Sequence, residues 1–158
     1  MSKVDSSSFA AKIILLMLLA DSFIWARSSY GKITGGTFVS GLGGTLTKFA
    51  SNNPYPWFKT FLQNTAIPNS QAFGALTLVG EAFAAAAITL AALYMLIKGV
   101  NKFGLVILIL GIITSAFLNL IFWLAAGWTS ASTDGLNLFM LLFELIALVY
   151  TIKLAVSK

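Results

Sequence analysis

The chain has 158 residues, 58% of them hydrophobic and 9% charged, with a mean hydropathy of +0.90. Soluble domains carry roughly 25% charged residues, so the composition excludes an ordinary water-soluble globule and makes lipid the expected solvent. Cys and His are both absent, which excludes disulfides, thiolate metal sites, His-ligated haem and cysteine redox chemistry, and the net charge of +5 comes from lysines beside apolar runs, matching lipid headgroups rather than nucleic acid.

Four apolar runs predict an all-α integral membrane protein, a single four-span domain over residues 1–158. The spans are read at about 10–28, 73–97, 103–127 and 136–156, with an outer loop at 29–72; a crossing helix needs about 20 residues. The first run, with Lys3 and Lys12 before "IILLMLLA", has the outline of a signal peptide. Asp21 interrupts it and no small-residue cleavage site follows, so a retained first helix is expected.

The long loop reads as partly helical. In "GTFVSGLGGTLTKFA" the side chains of Phe38, Leu42, Leu46 and Phe49 fall on one helical face. "NNPYPWFKTFLQNTAIPNS" carries Tyr55, Trp57, Phe58 and Phe61, the pattern of a short helix lying at a membrane interface. The glycine-rich pieces "GKITGG" and "SGLGG" lack the context of a phosphate-binding loop and read as turns.

Lysines set the expected orientation. Lys3, Lys12, Lys98, Lys102, Lys153 and Lys158 lie at one set of span ends, whereas the "TSASTDG" connection has no cation. Short cationic segments stay inside, so the N- and C-termini are both expected on the inner side of a plasma membrane. Arg27, Lys32, Lys48 and Lys59 oppose this, but they belong to the long loop.

Each span then holds one strongly polar residue: Asp21, Glu81, Asn119 and Glu144. Each lies about 8 residues, or roughly 12 Å, inside the expected outer helix ends. Small or polar neighbours share their faces: Met17, Trp25 and Ser28 with Asp21; Gly80, Ala84, Ala87 and Ala91 with Glu81; Gly111 and Ser115 with Asn119; Asn137, Met140, Ala147 and Thr151 with Glu144. Small residues allow close helix approach and polar ones avoid lipid, so the layer is expected to face inward. A charged side chain in hydrocarbon costs at least about 2.5–3.5 kcal/mol. At least one of the three carboxyls is therefore expected to be protonated or paired, with Arg27 and Lys32 as candidate cations, Arg27 by reaching down from the end of the first span. The layer serves either proton handling by Glu81, Asp21 and Glu144 or a structural network that locks helix register.

Four pieces, "FIWARSSYGK", "FASNNPYPWFKTFL" with the preceding "GGTF", "IPNSQAFGALTLVGE" and "GWTSASTDGLNLFM", occur in the order seen in DoxX/DoxD membrane proteins. The chain resembles that family over roughly residues 12–145. It departs from the family at Lys12, where Arg is common, and at Ser28 and Ser29, near which the family has glycine. The resemblance implies a four-helix bundle in the plasma membrane, in the manner of the DoxD subunit of archaeal thiosulfate:quinone oxidoreductase. It also implies a second, DoxA-like subunit. Quinone would be a substrate, with no haem or metal bound by this chain. On that reading Arg27 and Lys32 attract an anionic sulfur compound, Trp25 and Asn119 help to line the substrate site, and Trp25, Phe83 or Trp123 flank the quinone. Two other readings stand beside it: a non-catalytic accessory subunit of a larger membrane complex, and a small proton-coupled transporter.

Overall fold

The structure is a computed structural model that describes residues 6–157, with side chains from residue 9 onward. Lys3 and Lys158, which entered the orientation reading, lie outside the described residues. Among the described residues six α-helices follow in order: α1 Ser6–Gly35, α2 Phe38–Ser51, α3 Pro56–Phe61, α4 Ser70–Lys98, α5 Lys102–Ala126 and α6 Ala131–Val156. A π-helical turn, Leu62–Ala66, extends α3, and a 3-10 turn, Gly127–Thr129, links α5 to α6. Helices α1, α4, α5 and α6 are long and apolar enough to cross a membrane. Among the described residues no strand occurs.

The long helices pack in chain order: α4 lies against α1 and α5, and α6 packs mainly on α5. Contacts between α6 and α1 close the bundle along a sparse seam. Helix α2 lies on α4, and with α3 and its π-helical extension it caps one end. Large apolar side chains such as Phe23, Leu76, Leu90, Phe103, Phe139 and Ile146 point outward. In water this surface would be untenable, and in lipid it is the expected exterior.

Inside, the packing is tiered. At the uncapped end Leu18, Ile88, Met95, Leu105, Leu108 and Ile112 form the main apolar core. Leu42, Leu46, Phe58 and Leu62 form a second core beneath the cap, reaching Ala125. Trp25, Ala84, Ala85, Leu118 and Met140 lie between them, at the level of the polar residues. Glycine sets the α4–α5 distance: a Cβ at Gly111 would sit 2.8 Å from Ile88 Cγ1 and 3.2 Å from the Ile88 backbone nitrogen.

The first helix differs from its expected extent. The span read at 10–28 continues as helix to Gly35, so the first seven residues of the expected loop are helical and Lys32 sits on α1. Falling hydropathy after Arg27 is not a helix stop. The helix ends where Gly36 takes a left-handed φ of +67°, a conformation that glycine adopts without steric cost. The helical readings of the loop appear as α2 and α3, with Leu42, Leu46 and Phe58 buried and Phe38 and Phe49 packed beside them. Trp57, on the same short helix as Phe58, is 62% exposed. Asn53 ties this segment down, donating to Leu124 O at 2.9 Å and accepting from the Tyr55 N–H at 3.0 Å.

Candidate functional site

All four polar residues of the layer are buried: Asp21 is 5% exposed, Asn119 1%, and Glu81 and Glu144 0%. Their helices turn them inward with the neighbours read from the sequence: Ala84, Ala87 and Ala91 on α4, Gly111 and Ser115 on α5, and Met140, Ala147 and Thr151 on α6 are buried. Met17 is a correction, because it is 45% exposed. The buried line on α1 runs through Leu18, Asp21, Ser22, Trp25 and Ser29, a spacing of three and four residues that keeps one face of the helix inward.

The layer is two separate constellations. In the first, Glu81 on α4 forms an ion pair with Lys32 on α1. The Lys32 ammonium also donates to Ser28 Oγ at 3.0 Å. It lies 4.8 Å from the ring centre of Phe38 and 5.5 Å from that of Phe122, within reach of cation–π attraction. Glu81 Oε1 carries the pair, and among the described residues Oε2 is buried without a hydrogen-bond partner. Arg27, the other candidate cation, is exposed and makes no ion pair among the described residues. The α1 helix carries it to the bundle's outside, whereas Lys32 lies one turn beyond Ser28 on the inner side.

In the second constellation, Glu144 on α6 accepts from Asn119 Nδ2 at 2.8 Å and from Trp25 Nε1 at 3.3 Å. Asp21 lies beside this same carboxyl group, with neither of its buried oxygens hydrogen-bonded among the described residues. Beside the cluster, Thr89 Oγ1 donates to Ser22 Oγ at 2.9 Å, bridging α4 to α1. Trp25 and Asn119, read as substrate-lining residues, are brought together here as donors to Glu144.

A cavity of about 710 Å³ lies between the cap and the α4–α5 face. Its walls are mostly apolar and aromatic, with Phe38, Phe49, Phe61, Phe73, Phe117 and Phe122 among them, and Lys32 is its charged group. Leu76 and Phe117 line it and are also exposed to the outside, so the cavity opens sideways where lipid would be. Adjoining it at Lys32, an open groove of about 590 Å³ is lined by Arg27, Ser28, Gly31, Lys32, Thr37 and Phe38. Lys32 and Phe38 belong to both. Neither Asp21 nor Glu144 lines the cavity or the groove.

The cavity was not legible in the sequence, because its walls come from all six helices, many of them distant in the chain. Nor were Phe38 and Phe122 legible as ring partners of Lys32. Of the aromatics proposed to flank a quinone, Phe83 is 45% exposed on the exterior. Trp123 lies in a separate surface recess, donating to Asp134 Oδ1 at 2.7 Å. Among the described residues no group of three or more acidic side chains is placed to hold a metal ion. Compared with known proteins, the chain matches no family model, no curated protein and no solved structure.

Proposed function

We propose that this chain is the quinone-binding membrane subunit of an oxidoreductase acting on a sulfur compound, of thiosulfate:quinone type. The observation that carries this reading is the side-opening apolar cavity that ends at Lys32. Its volume of about 710 Å³ falls in the range of about 300–1,000 Å³ that small-ligand sites occupy. Aromatic walls suit a flat ring, the lateral opening suits an isoprenoid tail in lipid, and the Lys32 ammonium supplies a hydrogen-bond donor to a quinone oxygen. On this reading quinone is a substrate and the chain itself, with no Cys or His, binds no haem or metal.

The chemistry needs two electrons and two protons for each quinone reduced to quinol. The electrons come from the sulfur compound, through a DoxA-like partner. The Arg27–Lys32 groove attracts its anionic form from the cap side, so that the donor and the quinone adjoin at Lys32. Glu81, in contact with Lys32, is the carboxyl best placed to pass protons to the cavity, and Asp21 and Glu144 form the reserve behind it. The protein sits in the plasma membrane with both termini inside and the cap outside.

The test is thiosulfate-dependent reduction of decylubiquinone by the protein purified from native membranes with its partner. Activity in the wild-type pair, reduced at least tenfold in Lys32→Met and Glu81→Gln and more weakly in Arg27→Ala, is the expected result. Unchanged turnover in Lys32→Met overturns the site. Co-elution with haem or copper subunits, with no activity of its own, replaces this reading with the accessory-subunit one.

A further inference from the structure

Lys32 and Glu81 neutralise each other, but among the described residues Asp21 and Glu144 have no cationic partner. The two carboxyl groups come from α1 and α6, across the sparse seam of the bundle, and are 5% and 0% exposed. Both lie in helices long and apolar enough to cross a membrane. Titratable and charged groups on the surrounding helices do not resolve them. On α4 the group is Glu81, already held by Lys32 of α1; α5 offers the neutral side chains Asn119 and Ser115; Arg27 of α1 is exposed.

Their hydrogen bonding leaves a specific gap. Glu144 is supplied with donors on both oxygens, from Trp25 and Asn119. Asp21 lies beside that carboxyl group and near the Trp25 indole, yet among the described residues neither of its buried oxygens has a hydrogen-bond partner. An ionised carboxylate only accepts hydrogen bonds, whereas a protonated one also donates. Two facing carboxylates therefore cannot bond to each other, and an uncompensated pair in a dry interior is strongly unfavourable. One proton removes both difficulties, because Asp21 then donates to Glu144 and the pair carries a single charge on the group that Trp25 and Asn119 already supply with donors.

The geometry points to the Asp21–Glu144 pair as a closed one-proton site, chemically distinct from Glu81 and forming a hydrogen-bonded clasp between α1 and α6. A buried neutral carboxylic acid is also the group that an apolar carbodiimide modifies. The acid adds across one C=N bond: a carboxyl oxygen bonds to the central carbon and the proton moves to nitrogen. Acyl migration then leaves a stable N-acylurea, with the whole reagent retained and no change of oxidation state. Neither carboxyl group lines the cavity, so the protonation of this pair can be tested without quinone bound, apart from its proposed part as a proton reserve.

Infrared spectroscopy of the full chain in lipid tests it. A neutral carboxylic acid absorbs at higher frequency than a carboxylate and shifts in heavy water. We expect such a band at neutral pH that fades on alkalinisation, disappears in Asp21→Asn, where an amide N–H replaces the shared proton, and persists in Glu81→Gln. Dicyclohexylcarbodiimide followed by peptide mass spectrometry is expected to modify the Asp21 or Glu144 peptide and to leave Glu81 untouched. In Lys32→Met, labelling of Glu81 shows that the reagent reaches this depth. Circular dichroism verifies that each variant is folded. Absence of the acid band in the wild type, its loss in Glu81→Gln rather than Asp21→Asn, or its suppression by sodium at fixed pH each overturns the proposal, the last in favour of a metal cation.

Discussion

Lys32 shows how one side chain sets the character of a membrane interior. Its ammonium pairs with one oxygen of Glu81, a fully buried carboxylate, and lies within cation–π reach of two aromatic rings. Removing one member of a buried pair leaves an uncompensated charge, which costs about 3–5 kcal/mol. Lys32→Met and Glu81→Gln are each expected to lower the thermal midpoint in detergent. The double variant is expected to regain most of that loss, because no charge is left unpaired. A double variant as unstable as the sum of the singles rejects the pairing. Asn119 has a smaller role of the same kind. Asn119→Leu strips Glu144 Oε2 of its donor, and leaving a buried acceptor unpaired costs about 1–3 kcal/mol. Denaturation of this variant read by the fluorescence of Trp25, which donates to the same carboxyl group, reports that loss. Burial of these residues was legible in the sequence, since a polar group on a membrane span has one tolerable direction. Their partners were legible only in part: Lys32 was named as a candidate cation and does pair with Glu81, but it was placed in a loop and Arg27 was given the inward reach.

At the scale of elements, small residues decide which helices approach. Gly111 faces the Ile88 backbone with no room for a side chain. Gly111→Val is expected to push α5 from α4 and to destabilise the bundle by about 1–3 kcal/mol, the usual cost of overpacking. Chemical unfolding measures it, and a shift within error overturns the close-approach reading. The start of α6 relies on Ser130, whose hydroxyl accepts from the Thr133 N–H at 3.1 Å. Ser130→Ala is expected to cost about 1 kcal/mol, an effect that hydrogen exchange at the first turn of α6 would localise. The cap helices were readable from their apolar spacing. The continuation of α1 to Gly35 was not, because the end of a hydrophobic run and the end of a helix are different events.

For the whole molecule, the arrangement separates two polar centres along one bundle. The Lys32–Glu81 pair borders the cavity and the groove, and the Asp21–Glu144 pair is enclosed. Orientation belongs to this scale too. With no native Cys in the chain, single replacements report sidedness cleanly. In intact cells, Ser51→Cys on the cap is expected to react with a membrane-impermeant maleimide. Ser157→Cys is expected to react only after the membrane is opened. The reverse pattern overturns the assignment of both termini to the inside.

By itself the sequence determined that the chain is helical, that four segments are long and apolar enough to cross a membrane, and that Asp21, Glu81, Asn119 and Glu144 turn inward. These follow from composition and spacing along one dimension, which hydrocarbon constrains severely. Only the tertiary structure decided which charge meets which, that the layer is two constellations, and that a cavity lies beneath the cap. The physical reason is rotation. Successive residues on a helix point about 100° apart, and a span whose core face and lipid face are both apolar carries little pattern to set its angle. Met17 and Leu18 are equally apolar neighbours, yet one is 45% exposed and the other 0%. Packing against α4 and α6 settled that angle, and with it the partners of every buried charge.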